Sequence, residues 1–320
     1  MVYHCFRDSK GYVWFCTDKG LSRFDGTGFK HFSASDGTGD NEIFNMYEDK
    51  AGRIWFFTYN GEPAYYFQGK FHNSSNDSLL KKLPVLPFIC DMAESGDALY
   101  IGYVGGDILK IKNNRITWLR RVTTPNDKFW QFSRQDQCLV AIQTDQRCSI
   151  RNDSMVCMDA TRIRNAYTQG SLVFVQKETT LELTETGNLL WTYKDPEWLQ
   201  ADILDAYCDH MGLVFISTRN GLVIIDRETG AKKRIMSNIS ITSVRQDVYN
   251  NYWITTLGQG VFCLNAGLLD AGSLHTGVAG KVICADGTLF LQKADSLYCI
   301  AGRNGQLFAT HLATIHEPTM

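Results

Sequence analysis

The sequence has little proline, six residues in 320, and almost no helical periodicity. Apolar residues spaced at 3.6 over ten or more positions mark amphipathic helices, and only Leu79–Leu83 reads as a single helical turn. Charge of one sign is also lacking. Lys and Arg number 32 against 34 Asp and Glu, they are interspersed, and no basic stripe forms, which excludes nucleic acid as a partner class. No apolar run reaches the roughly 18 residues of a membrane-spanning helix. The opening MVYHCFRDSK has no charged segment followed by an apolar one, so it does not read as a secretory leader. None of the ten cysteines falls in a CxxC pair, which removes the common zinc and redox motifs. Phosphate loops, HExxH and GxSxG are missing as well. No cofactor is expected.

Glycine, with 27 residues, and aromatics, at 12%, are plentiful, and both recur in phase. Asp8 to Phe29 reads turn, strand, turn, strand, turn. Val13–Thr17 is an apolar run suited to a pleated surface, and Leu21–Phe24 alternates apolar and polar. The phrase returns at Glu48–Phe71, where Asp49, Gly52, Trp55, Thr58 and Gly61 fall on Asp8, Gly11, Trp14, Thr17 and Gly20. Further copies carry Gly96, Tyr100 and Gly106, then Asp136, then Gly170. Three more follow, with Gly212, Phe215 and Gly221; with Asn251, Trp253 and Gly260; and with Gly287 and Phe290. Eight copies between Gly11 and Gly287 give a mean period of about 39 residues, in the range of repeat architectures.

Each copy has room for four strands. In the first they are Val2–Arg7, Val13–Thr17, Gly20–Phe24 and Phe29–Phe32, joined by connections short enough for antiparallel neighbours. A lone four-stranded sheet cannot bury both faces, but radial stacking of sheets can. The expected fold is therefore all-β, a β-propeller of four-stranded antiparallel blades, seven or eight in number. Residues 1–320 read as one propeller. If seven copies close the ring, the last repeat, at about 280–320, begins a following propeller or stays unpaired. The chain starts at a first strand, so a fragment of a longer chain is expected.

The phrase D-x-x-G-x-x-W-x-x-T-x-x-G resembles the two-component regulator propeller repeat. It is carried by Asp8, Gly11, Trp14, Thr17 and Gly20 and again by Asp49, Gly52, Trp55, Thr58 and Gly61. The linker also resembles that family's connector through Asp36, Gly37, Asn41 and Ile43, with Thr38 in place of Leu. The resemblance is weak from about Asn126 to Pro196. It implies the extracytoplasmic, periplasmic sensor region of a membrane histidine kinase, without catalysis of its own. Its partners would be the rest of the kinase chain, a second copy, and an oligosaccharide ligand, with membrane contact only through parts of the chain outside this sequence. Two other classes stay open. One is a protein-interaction platform without a small ligand. The other is a propeller glycosidase or lyase, which needs paired carboxylates at the channel.

Residues that could carry chemistry also have plainer roles. Asp8, Asp49 and Asp247 recur at one turn position, where Asx capping explains them better than acid catalysis. The acidic, Gly-rich stretch Asp36–Glu42 lacks the spacing of a calcium loop. Ser78–Lys81 matches SxxK alone. His210 takes a turn position. Trp14, Trp55 and Trp253 in the second strand read as blade-to-blade core. Cys5, Cys90, Cys208 and Cys284 in first strands, with Cys263 and Cys299 in third strands, read as small buried hydrophobes. Cys148 and Cys157 fall on neighbouring strands, and unpaired thiols are the expectation. A binding face is read from positions the repeat leaves free, in the loops between strands two and three. These are Asp18, Lys19, Tyr59, Asn60, Tyr103, Arg219, Asn220 and Gln259. A rigid scaffold with variable loops is where binding usually resides, and solvated turn residues are the plainer reading of each.

Overall fold

In the computed structural model, the described residues are 1–84, 86, 88–122, 130–135, 138–143, 146–151, 154–159, 163–178, 180–194 and 202–266. To these are added, as strands without side chains, 281–285, 288–293, 296–303 and 306–314. Asp136 and Gly287 lie outside them, as do the side chains of Cys284, Phe290 and Cys299.

Among the described residues eight antiparallel sheets follow one another along the chain, seven with four strands and one with three. The first has the boundaries expected from sequence, Val2–Arg7, Val13–Thr17, Gly20–Phe24 and Phe29–Phe32. The weakly matching region builds blades too, with inner strands at Gln131–Gln135 and Asn165–Gln169. The only helical turns among the described residues are short 3-10 turns at Ala34–Asp36 and Leu80–Lys82. The fold is a β-propeller. Seven inner strands neighbour one another in sequence, and Ile241–Gln246 of the seventh sheet returns to Val2–Arg7 of the first. Thr242 Oγ1 donates to the Val2 carbonyl (2.8 Å), and the Cys5 amide donates to Ser243 Oγ (2.9 Å). The ring closes with seven blades, three strands of the seventh lying among the described residues, and a further sheet follows it in the chain.

The core lies between blades. Trp14, Cys16 and Leu21 of blade one pack with Ile43, Met46 and Phe56 of blade two, and Trp253 of blade seven stands edge-on to Phe15 of blade one (centroids 5.4 Å). Each repeat Asp joins its turn to this core. Asp8 Oδ1 accepts the Lys10 and Tyr12 amides, and its Oδ2 accepts the Trp14 indole N–H (2.8 Å). Asp49 does the same for Trp55, and Asp247 for Trp253. Blade six has Phe215 at the Trp position, so the spare oxygen of Asp209 accepts the Tyr252 hydroxyl of blade seven instead (2.5 Å). The carboxylate thus satisfies a buried donor that would otherwise be costly.

The repeat Thr and Gly fix the opposite turn. Thr17 Oγ1 donates to the Gly20 carbonyl and accepts the Lys19 amide. Gly20 has φ +106°, and a Cβ there would come within 2.0 Å of the Phe32 carbonyl oxygen, so position and conformation both require glycine.

One expectation is corrected. Cys148 and Cys157 form a disulfide, Cα atoms 4.0 Å apart, because they are direct cross-strand partners between Gln146–Arg151 and Ser154–Asp159. Cys5, Cys16, Cys90, Cys138, Cys208 and Cys263 are buried and lie outside that disulfide.

Candidate functional site

Each inner strand runs from an inter-blade linker on one face to the Asp turn on the other. The linkers and the loops between strands two and three therefore share one face. The inner strands of all seven blades line a central channel of about 1230 Å³.

Three of the eight loop residues chosen from sequence hold linkers in place. Asn60 donates from Nδ2 to the Gly39 carbonyl and from its amide to Asp40. Asn220 Oδ1 accepts the Asn238 amide, and Arg219 pairs with Asp202 (2.9 Å). Asp18 accepts the terminal amine of Met1 (2.7 Å). The Lys19 and Gln259 amides donate to the repeat threonines Thr17 and Thr256, and both side chains are exposed. Tyr103 is corrected. It is fully buried among Trp55, Leu99 and Leu109 and presents nothing to the face. Its position ends the second strand, where the alternation turns the side chain into the blade.

Tyr59 differs from the rest. It is 65% exposed, and its ring lies 6.1 Å from Phe44. Phe44 in turn is 4.7 Å from Tyr3 and 4.8 Å from Phe88. Tyr3, Phe44 and Phe88 come from three consecutive blades and line the channel. Together the four rings form an aromatic arc at the linker-side mouth. Reading variability in loops alone passes over Tyr3 and Phe44. They occupy one equivalent position, second in the inner strand, where blades six and seven carry Leu204 and Thr242. A scan of inward-facing positions of the innermost strands finds them.

Deeper in the channel wall the groups are polar. Asp205 and Arg245 pair at 2.6 Å. Arg245 also faces His4 at 3.4 Å, and burial together with that guanidinium holds the His4 imidazole neutral, well below its ordinary range. Burial pushes the Asp91 carboxyl up to about 7, against the amides of Phe132 and Met92 that favour its charged form. The far mouth is hydrophilic. There Glu48 accepts from Ser9 and Glu94 from the Lys50 amide, so the end of one inner strand grips the preceding blade's turn. Among the described residues no group of three or more His, Cys, Asp or Glu converges on a metal position. Asp36 caps the first 3-10 turn, and Asp40 accepts the Asn41 and Asn60 amides.

Residues 37–60 match the family described as "Two component regulator propeller". That segment, which joins blade one to the second strand of blade two, is similar to a two-component regulator propeller repeat. Among curated proteins there is no sequence match. The chain is similar in structure to the extracellular domain of BT3049 of B. thetaiotaomicron, described as a hybrid two component system. The TM-score is 0.61 at 20% identity, over 98% of this chain and 47% of that one. The extracellular domain of BT4673 from the same organism gives 0.62 at 17% identity, over 96% and 45%. PorZ, a surface component of the type-IX secretion system of Porphyromonas gingivalis, gives 0.54 at 9%, over 97% and 45%. The chain thus spans about half the length of these structures.

Proposed function

We propose that this propeller is a non-catalytic sensor module of a two-component system, placed outside the cytoplasm, that binds an oligosaccharide at the aromatic mouth. The observation that carries the reading is the arc of Tyr3, Phe44, Phe88 and Tyr59 on a propeller with the two-component regulator repeat. Aromatic faces suit the C–H faces of sugar rings, since they bury apolar area while hydroxyls stay free for polar partners. The Cys148–Cys157 disulfide supports the extracytoplasmic placement, because such bonds persist in oxidising compartments. In this reading the rest of a kinase chain receives the signal.

The test is a thermal-shift screen of the purified chain against an oligosaccharide panel. A ligand that raises Tm for wild type and does so less for Phe44→Ala supports the reading. Release of shortened products in the same panel favours a propeller glycosidase or lyase. No shift with any member favours an interaction platform. One observation speaks for that second reading. Met211, Val248 and Tyr249 stand 72%, 55% and 71% exposed on two successive turns of the opposite face, and exposed apolar side chains on neighbouring turns suit protein contact.

A further inference from the structure

We propose that Glu42 sets the charge specificity of the aromatic mouth, accepting a hydrogen bond from a ligand hydroxyl or ammonium and keeping out ligands that carry carboxylate or sulfate. The inference rests on the reading of that mouth as an oligosaccharide site. Glu42 closes the linker into blade two, one residue before the inner strand Ile43–Glu48. Its backbone is pinned, for its carbonyl accepts the Tyr59 amide (2.9 Å) and its own amide donates to Asp40 (3.3 Å). Its Oε1 accepts the Tyr3 hydroxyl at 2.6 Å, and the Tyr3 ring lies 4.7 Å from Phe44. The carboxylate therefore stands at the edge of the aromatic arc, tied to one of its members.

Among the described residues no lysine or arginine pairs with Glu42. Cations of these loops and of the channel wall are otherwise placed. Arg219 is paired with Asp202 and Arg245 with Asp205, while Lys19 is exposed beside Asp18. Asp18 is paired with the Met1 terminal amine (2.7 Å), so among the described residues Glu42 is the uncompensated carboxylate beside the arc. Burial first, and then the hydrogen bond to Glu42 and its charge, raise the Tyr3 phenol above its ordinary range. A carboxylate has only acceptor capacity, and Glu42 spends one oxygen on Tyr3. What remains attracts O–H and N–H donors and repels anions at close range. Arg219 is engaged by Asp202 and does not offset this.

Glu42→Gln tests the assignment, since it keeps an acceptor for Tyr3 and removes the charge. Wild type and variant are titrated with neutral gluco-, manno- and xylo-oligosaccharides, with de-N-acetylated chito-oligosaccharides, and with oligogalacturonates and heparin-derived fragments. We expect wild type to bind neutral or amino members and no anionic ones, and the variant to gain anionic affinity by about tenfold, equivalent to about 1.4 kcal/mol. Anionic members that bind wild type as well as neutral ones do would overturn the role of Glu42 and leave the sensor reading standing. No binding of any class to either protein overturns both.

Discussion

At the residue scale, Asp8 and Trp14 act as one unit, the carboxylate capping a turn with one oxygen and an indole with the other. Trp14→Ala and Trp55→Ala should each cost roughly 3–5 kcal/mol, the range for emptying a buried aromatic site, measurable by denaturant unfolding. A double-mutant cycle of Asp8→Ala with Trp14→Phe should show coupling of about 1 kcal/mol or more, because phenylalanine removes the donor that the lost carboxylate strands. Tyr59→Ala should fall within about 0.5 kcal/mol of wild type, as exposed loop positions do. Asp91 carries a pH dependence. In the unfolded chain it releases its proton near 3.8, in the fold near 7, so between these values the native state binds more protons and stability falls as pH rises. The loss attributable to this group is on the order of 2–4 kcal/mol between pH 4 and 7. Asp91→Asn should flatten it. Asparagine suits the position, since Asn45 and Asn165 make the corresponding bond to their own following amides, as Asp91 does to Met92. Equal slopes of stability against pH for wild type and variant would contradict the assignment.

At the scale of elements, the blade was legible in the sequence because its grammar is local. The turn Asp, the turn Gly, the core Trp and the Thr before Gly20 each act within about ten residues, and strand boundaries of blade one follow from them directly. The site was less legible because it is assembled across blades. Tyr3, Phe44 and Phe88 are about forty residues apart in sequence and meet only when inner strands stand side by side. Loop variability pointed to the linker-side face, and there to several residues that secure linkers, as Asn60 and Asn220 do. Tyr103 shows the converse error, a loop-edge aromatic turned inward by strand alternation. Gly20→Ala tests the element logic. It must place a Cβ against the Phe32 carbonyl at positive φ, and it should destabilise far more than Gly52→Ala, whose Cβ meets no atom within 4 Å.

At the scale of the whole molecule, seven blades form the ring and the first is held by the seventh through Thr242 and Ser243. Blade four has a staple the others lack among the described residues. The Cys148–Cys157 bond closes a short loop, and loop-entropy arguments give about 2–3 kcal/mol for its removal. Reduction, or Cys157→Ser, should lower Tm by a matching amount and leave binding at the mouth unchanged, since blade four contributes none of its four rings. The ring's function turns on which end of the channel takes the ligand. Isothermal titration of a ligand found by the glycan screen, compared across wild type, Phe44→Ala and Lys10→Ala, decides it most directly. The account predicts at least a tenfold loss of affinity for Phe44→Ala, about 1.4 kcal/mol, and no change for Lys10→Ala on the opposite face. Loss with Lys10→Ala and none with Phe44→Ala would contradict it.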